Sequence, residues 1–117
     1  MALPPAYPPA SPIPASPAAL QGVRVIEMGQ LIAGPFCGKT LGEFGADVIK
    51  IEAPETGDPL RNWRLIKEGT SVWWQVQSRN KRSVALDLRQ TEGQTIARQL
   101  IAEADVLVEN FRPGTLE

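Results

Sequence analysis

The hydrophobic pattern predicts a strand, a helix and a second strand in the first half of the chain. Nearly continuous apolar runs occupy Val23–Met28 and Asp47–Glu52, as is typical of strands that are covered on both faces. Between them, apolar residues repeat at helical spacing from Pro35, which suits a first helical turn, to Phe44, and Gly45 follows as a stop. The stretch therefore predicts a βαβ unit, which normally closes a parallel sheet.

The second half predicts another unit of the same kind. Ser83–Leu88 has the pattern of a third strand, and Val106–Val108 that of a fourth. The helix predicted between them has one apolar face, and Thr91 with Gln94 three residues later has the form of a capping box. Pro113 predicts the start of a further helix. This succession of elements indicates the α/β class.

The connection between the two units is less regular. After Ala53 the chain is rich in turn residues, and long loops inside compact domains are usually functional or mobile. For Val72–Val76, with its two tryptophans, periodicity leaves helix and strand open. A dense basic patch, Arg79–Arg82, comes directly before the third strand.

Composition separates residues 1–19 from the rest of the chain. This segment holds 7 of the 11 prolines and no charged side chain, so we expect a disordered Pro/Ala-rich tail. The alternative is a docking motif for a proline-reading partner. The segment lacks the features of a signal peptide, and no stretch reaches the length of a membrane span. Residues 20–117 are expected to form one domain.

The charge balance, the single cysteine and the lack of histidine argue against several classes of function. A net charge of −1, from 12 basic and 13 acidic residues, gives no overall field that favours nucleic acid or a membrane surface. With no histidine and one cysteine, the usual zinc sites, histidine-based triads and internal disulfides are not expected, and the cytoplasm is the favoured location. Cys37 lies near a helix start, but without a histidine base we interpret it as a small packed residue.

The loops that follow the strands are the candidate binding site, because ligands of parallel sheets bind at the carboxyl ends of the strands. The loop Gly29–Pro35 is no Walker motif, since Pro35 and Phe36 stand where Lys and Ser or Thr are needed, and it lacks the dinucleotide fingerprint. After the later strands, arginine can bind phosphate, asparagine can recognise adenine, and phenylalanine can stack on it. A nucleotide-bearing ligand fits this set, although Arg89 and Arg112 would also suit solvated loops.

Three segments resemble one enzyme family. VRVIEMGQLIAGPFCGKTLGEFGADVIKIEAPETGDPLR, NKRSVALDL and ADVLVENFRPGTLE are similar, in that order, to the N-terminal part of family III coenzyme A transferases, which include formyl-CoA:oxalate CoA-transferase, carnitine CoA-transferases and α-methylacyl-CoA racemase. The resemblance covers about Leu20 to Glu117. It implies part of a Rossmann-like open parallel sheet, with coenzyme A along the strand ends, and full-length subunits that interlock as homodimers.

The resemblance also implies the ligand contacts. They correspond to Ile32, Ala33, Ala53, Leu86, Asp87, Leu88, Arg89, Asn110, Phe111 and Arg112. Formyl-CoA transferase has glutamine where Ile32 stands, which argues against its particular oxalate and formyl chemistry. It has arginine where Ala53 stands, so one phosphate contact is missing here. The tryptophan-containing stretch Arg61–Ser78 resembles the transferases more than the racemase, which is shorter in this stretch.

The implied reaction moves coenzyme A between an acyl-CoA and a small carboxylic acid, without a metal, through an aspartyl anhydride and an aspartyl thioester. The family's aspartate lies beyond the matched region, so no catalytic residue is assigned and we expect this chain to be a CoA-binding fragment that is inactive alone. The alternatives are a non-catalytic α/β module that binds a nucleotide or coenzyme A, and a fragment of an acyl-CoA racemase.

Overall fold

The computed structural model describes residues 17–116. In chain order its elements are β1 (Arg24–Glu27), α1 (Ala33–Glu43), β2 (Asp47–Glu52), a 3₁₀ turn (Pro59–Asn62), β3 (Ile66–Lys67), β4 (Thr70–Ser71), α2 (Val72–Gln77), β5 (Lys81–Ala85), α3 (Thr91–Ala102) and β6 (Val106–Val108). No helix in this part of the chain is long and apolar enough to cross a membrane. The tail prediction falls largely on residues 1–16, outside the described residues.

Four strands form one parallel sheet in the order β5-β2-β1-β6, and β3 pairs with β4 in a separate antiparallel hairpin. Val25 lies opposite Val48 on one side and Val106 on the other, so the carboxyl ends of the strands meet at one edge. The predicted α/β fold with an open parallel sheet is therefore confirmed.

Each face of the sheet has its own core. Ile26, Met28, Ile49 and Ile51 pack against α3, where Ala97 is fully covered. The opposite face has Val25, Ala46 and Val48, against which Leu41 of α1 packs. The prediction that the two apolar runs are strands covered on both faces is therefore confirmed. The side chains of each strand alternate between the two faces of the sheet, and both faces have a core.

Helix α1 meets the sheet through small residues and Leu41, and not through its phenylalanine. Gly34, Pro35 and Gly38 are buried, whereas Phe36 is 54% exposed and Phe44 is 58% exposed. Cys37 is also exposed, so its interpretation as a packed residue is wrong. The small residues face inward because the side chain of Glu27 occupies the space beside Gly38, where a Cβ atom would lie 1.8 Å from Oε2.

Several boundaries differ from the sequence prediction. Strand β5 begins at Lys81 and ends at Ala85, so half of the basic run is part of a strand. Its charges are paired: Lys81 binds Glu27, and Arg82 binds Asp47. The polar residues can enter the strand because partners from β1 and β2 neutralise them.

Two of the signals that predict helix starts were wrong. Helix α3 begins at Thr91 itself, and Gln90, the residue before it, makes no side-chain capping bond, so the capping box does not form. The Gln94 side chain instead donates to the carbonyl oxygen of Leu88. No helix follows Pro113 within the described residues; the chain turns there, and Thr115 N–H donates to the carbonyl oxygen of Arg112.

The segment that periodicity left open forms α2. Ser71 begins it, because its hydroxyl oxygen accepts a hydrogen bond from Trp74 N–H. The Ser71 hydroxyl also donates to the carbonyl oxygen of Trp63, which ties the helix to the preceding loop. The helix thus depends on a local cap and on a contact outside its own sequence.

Candidate functional site

A groove of about 290 Å³ lies at the carboxyl edge of the sheet. It is lined by six of the ten residues that the resemblance implies: Ala53, Leu86, Asp87, Leu88, Arg89 and Phe111. Met28 and Ile51 supply apolar surface beside them. The chain therefore brings residues that follow all four strands of the parallel sheet to one concave surface.

The other four implied residues do not line this groove. Ile32 is the residue before α1, and Ala33 is its first residue. Arg112 lines a neighbouring hollow of about 270 Å³, and Phe111 belongs to both. Asn110 directs its side chain at the loop Gly29–Pro35, called the glycine loop below. There Oδ1 accepts from Gln30 N–H (2.7 Å) and Nδ2 donates to the Gln30 carbonyl oxygen (3.1 Å). In this structure its amide therefore holds the loop.

Arg89 supplies positive charge at the mouth of the groove. Its side chain is 87% exposed, and Nε and Nη2 donate to the two carboxylate oxygens of Asp87 at 2.8 and 3.0 Å. Hydrogen bonds from the Arg89 side chain and backbone lower the pKa of Asp87, and the same pairing raises the pKa of Arg89. A phosphate would have to share or replace this exposed pairing.

The glycine loop rests on a buried charged cluster that sequence analysis did not identify. Glu27, Lys50 and Asp58 are each at most 1% exposed. Lys50 Nζ donates to Glu27 Oε1 at 2.9 Å and to the carbonyl oxygen of Gly29 at 2.7 Å, and it lies 2.9 Å from Asp58 Oδ2. The end of β2 is thereby connected to the loop after β1.

Lys81 completes the cluster from β5. Its Nζ lies 2.6 Å from Glu27 Oε2 and donates to the carbonyl oxygen of Pro35 at 2.7 Å. Burial lowers the pKa of Lys81, against the opposing effect of the Glu27 carboxylate. With two lysines and two carboxylates the cluster is neutral overall, as buried charges require.

Asp58 extends the cluster into the loop after β2. Its Oδ1 accepts from Leu31 N–H (3.0 Å) and from Leu60 N–H (2.8 Å). Leu31 has φ of 60°, the left-handed region, which costs a non-glycine residue about 1–2 kcal/mol. Asp58 therefore holds the glycine loop at its strained residue.

Glu52, the last residue of β2, binds the long loop that follows this strand. Burial alone would raise the pKa of Glu52, but hydrogen bonds from Arg61, Ser83 and the Asp58 backbone lower it to about 2. Arg61 binds both carboxylate oxygens, and its guanidinium also lies 3.9 Å above the ring of Trp74. The long loop is thus tied to β2 and to α2.

One sequence signal for this cluster was present. Glu27, Lys50 and Glu52 are charged residues near the carboxyl ends of otherwise apolar strands. Side chains in such positions are buried only when they are paired, which indicates partners from elsewhere. The partners themselves, Asp58 and Lys81, could not be found from spacing.

Comparisons with known proteins show the family to which the chain belongs. The model of CoA-transferase family III matches residues 20–117. The chain is 52% identical over 102 residues to succinyl-CoA–D-citramalate CoA-transferase of Chloroflexus aurantiacus, covering 86% of this chain and 25% of that protein. It is 42% identical over 99 residues to formyl-CoA:oxalate CoA-transferase of Escherichia coli, covering 84% and 24%.

A solved structure shows the same fold. The crystal structure of a CAIB/BAIF family protein from Brucella suis matches with a TM-score of 0.78 and 42% identity, over 86% of this chain and 28% of that one. This protein belongs to CoA-transferase family III, and the described sheet is part of that family's α/β fold. The chain spans about a quarter of the length of the curated relatives it matches.

Proposed function

We propose that this chain forms the coenzyme A-binding N-terminal portion of a CoA-transferase, which moves coenzyme A between an acyl-CoA and a carboxylic acid. The observation that carries the proposal is the groove at the strand ends, where six implied contact residues meet. Family membership gives the reaction class. The groove gives this chain a place to hold the coenzyme.

The lining chemistry fits a nucleotide with a long flexible arm. Arg89 offers a planar guanidinium for phosphate, a group that arginine binds through two parallel hydrogen bonds. Phe111 offers a ring on which a base can stack, and Met28 and Leu88 offer apolar surface to the uncharged arm. Phosphate, base and arm each find a matching surface at one edge of the sheet.

For the covalent step we propose an aspartate outside residues 20–117. Its carboxylate would attack the thioester carbonyl, breaking the C–S bond to give a mixed anhydride and CoA thiolate. The thiolate would then attack the aspartyl carbonyl of the anhydride, which gives an aspartyl thioester and releases the donor's acyl group as a free carboxylate. Transfer of coenzyme A to the second acid would restore the carboxylate.

The aspartates of this chain are engaged elsewhere, which supports that proposal. Asp47 binds Arg82, Asp58 is buried against Lys50, and Asp87 binds Arg89. Asp105 accepts a hydrogen bond from Arg24 N–H at 2.8 Å. A nucleophile needs an accessible carboxylate next to the thioester, and each of these four has a structural partner.

We further propose succinyl-CoA as the donor and a small dicarboxylic acid as the acceptor, as in the name of the Chloroflexus relative. Identity is higher to that protein than to the formyl-CoA transferase, and Ile32 replaces the glutamine that the resemblance associates with formyl and oxalate chemistry. We place the enzyme in the cytoplasm as an interlocked homodimer. Exposed Phe36 on α1 and Phe44 directly after it offer apolar surface to such a partner.

Calorimetry with coenzyme A tests the binding proposal. We expect saturable binding to the 117-residue chain, with weaker binding of dephospho-CoA if the 3′-phosphate is held. No heat of binding, with the chain shown to be folded by circular dichroism, would refute the binding role. A protein that includes the downstream region should exchange coenzyme A between succinyl-CoA and dicarboxylic acids, and epimerisation of a 2-methylacyl-CoA without exchange would favour the racemase alternative.

A further inference from the structure

We propose that Lys50 is a positioning residue that fixes the glycine loop for coenzyme A. The inference rests on the proposed binding at the strand ends. Lys50 does not line the groove, and its side chain is only 2% exposed, so it acts on the ligand through the loop rather than by contact.

The surroundings of the ammonium group determine its position completely. A lysine ammonium has three N–H donors, and three acceptors surround this one: Glu27 Oε1, the Gly29 carbonyl oxygen and Asp58 Oδ2. Glu27 is itself held by Lys81 on its second oxygen. Lys50 is therefore hydrogen bonded to Glu27 and to Gly29, and it forms an ion pair with Asp58.

Lys50 controls the loop at two points. It binds the carbonyl oxygen of Gly29 directly, and it holds the carboxylate of Asp58, whose other oxygen binds Leu31 N–H. Leu31 has a left-handed backbone, which persists only where neighbouring groups hold it. Between these points lies Gln30, which lines the groove and is bound by Asn110.

Stability alone is a weak reason for such a cluster. Buried ion pairs often add no net stability over apolar residues of the same size, because taking the charges from water costs about as much as their attraction returns. What they do supply is a defined geometry. Here the cluster fixes Gly29 and Leu31. These residues precede Ile32 and Ala33, which the resemblance places against coenzyme A.

The test removes the cation and one anion together, so that no buried charge is left unpaired. In the double variant Lys50→Met/Asp58→Asn, Glu27 keeps Lys81 as its partner. The matched control is Asp47→Asn/Arg82→Met, which removes an exposed ion pair between β2 and β5, at the end of β2 remote from the loop. Asp58→Asn alone serves as a second variant, which retains Lys50 but leaves the cluster one negative charge short. Each protein is checked for folding by near-ultraviolet circular dichroism.

Two quantities are measured: hydrogen exchange of the Leu31 amide by NMR, and the dissociation constant for coenzyme A by calorimetry. We expect the double variant to exchange the Leu31 amide at least about tenfold faster and to bind coenzyme A at least about tenfold more weakly. Asp58→Asn should shift both in the same direction, and the control should shift neither. A general loss of stability would speed exchange throughout the sheet, whereas the positioning role predicts the largest change at Leu31.

The outcomes separate this inference from the proposed function. If the wild-type chain does not bind coenzyme A, the proposed function fails, and Leu31 exchange alone decides whether Lys50 fixes the loop. If the wild type binds, and folded variants keep its Leu31 exchange and its coenzyme A affinity, the positioning role is refuted. If the double variant does not fold, the same comparison is decided by Asp58→Asn.

Discussion

The side-chain amide of Asn110 is hydrogen bonded to both backbone polar groups of Gln30, although 80 residues separate the two in the chain. Its oxygen also lies where Gly29 and Gly34 approach each other, so that a Cβ atom on either glycine would lie within 3 Å of it. Asn110 therefore connects the end of the sheet's last strand to the loop after its first.

Replacing Asn110 with alanine should weaken this connection. We expect Asn110→Ala to lower the unfolding free energy by about 1 kcal/mol, or the Tm by about 4–8 °C, because two hydrogen bonds to the backbone are lost. Asn110→Asp, which keeps the acceptor for Gln30 N–H, should lose less. The exposed Asn62→Ala is the control in thermal unfolding. A Tm for Asn110→Ala equal to that of this control would show that the two bonds contribute nothing.

Gly38 gives a prediction whose sign opposes helix propensity. In a helix interior, glycine to alanine normally stabilises by about 0.5–1 kcal/mol. A Cβ atom on Gly38 would lie 1.8 Å from Glu27 Oε2, a buried oxygen fixed by Lys81. We therefore expect Gly38→Ala to destabilise the protein by about 2–4 kcal/mol, since it displaces a buried ion pair.

Cys37→Ala is the matched control for Gly38→Ala, because Cys37 is the neighbouring residue of the same helix and is exposed. Urea unfolding should show Cys37→Ala close to wild type. Equal or greater stability of Gly38→Ala would contradict the packing of Glu27 against α1.

The pairing of Glu52 predicts a pH dependence. Its pKa is lowered from 4.5 to about 2 in the folded protein, so the stabilisation is complete above pH 4.5 and is lost as the pH falls towards 2. The full shift corresponds to about 3 kcal/mol, and we expect about 1–2 because the partly exposed Arg61 is screened by solvent.

Thermal unfolding of wild type and Glu52→Gln between pH 7 and pH 2 measures this contribution. Their difference in unfolding free energy should be largest above pH 4.5 and should shrink as the pH falls to 2. Glu68→Gln, which changes an exposed residue, is the control and should show no such trend. A constant difference across the range would remove Glu52 as the source.

Arg89 should contribute to coenzyme A affinity through its charge. We expect Arg89→Ala to weaken binding by about 1–3 kcal/mol, the range for a charge-assisted contact, and the loss should shrink at high salt. Arg79→Ala is the matched control, since Arg79 is also exposed and paired, but with Glu43 of α1. Calorimetry in which both variants bind equally well would exclude Arg89 from the site.

The local sequence pattern was sufficient to predict the main helices and strands, but it was insufficient to predict the contacts between them. Strands β1 and β2 and helix α3 could be predicted because apolar periodicity follows from which faces are covered. The inner face of helix α1 could not be predicted, since Gly38, which approaches Glu27, carries no hydrophobic signal. The start of β5 was missed because Lys81 is buried only by virtue of Glu27, a pairing across distant parts of the chain.

The candidate site shows the same division. The strand ends indicated where ligands bind, and family resemblance named the residues, six of which line one groove. The buried Lys50 and Asp58 could not be predicted as partners, because the five turn-rich positions 53–57 that separate β2 from Asp58 give no register between them. Only the folded loop brings the carboxylate to the ammonium.

The central claim is that coenzyme A binds at the carboxyl edge of the sheet, and an NMR titration of the ¹⁵N-labelled chain with coenzyme A tests it most directly. We predict saturable shifts concentrated at the amides of the glycine loop, Ala53, Leu86–Arg89 and Asn110–Arg112, with little change in β3, β4 and α2. A folded chain that shows no saturable shifts, or shifts centred on β3, β4 and α2 instead of the strand ends, would contradict the account.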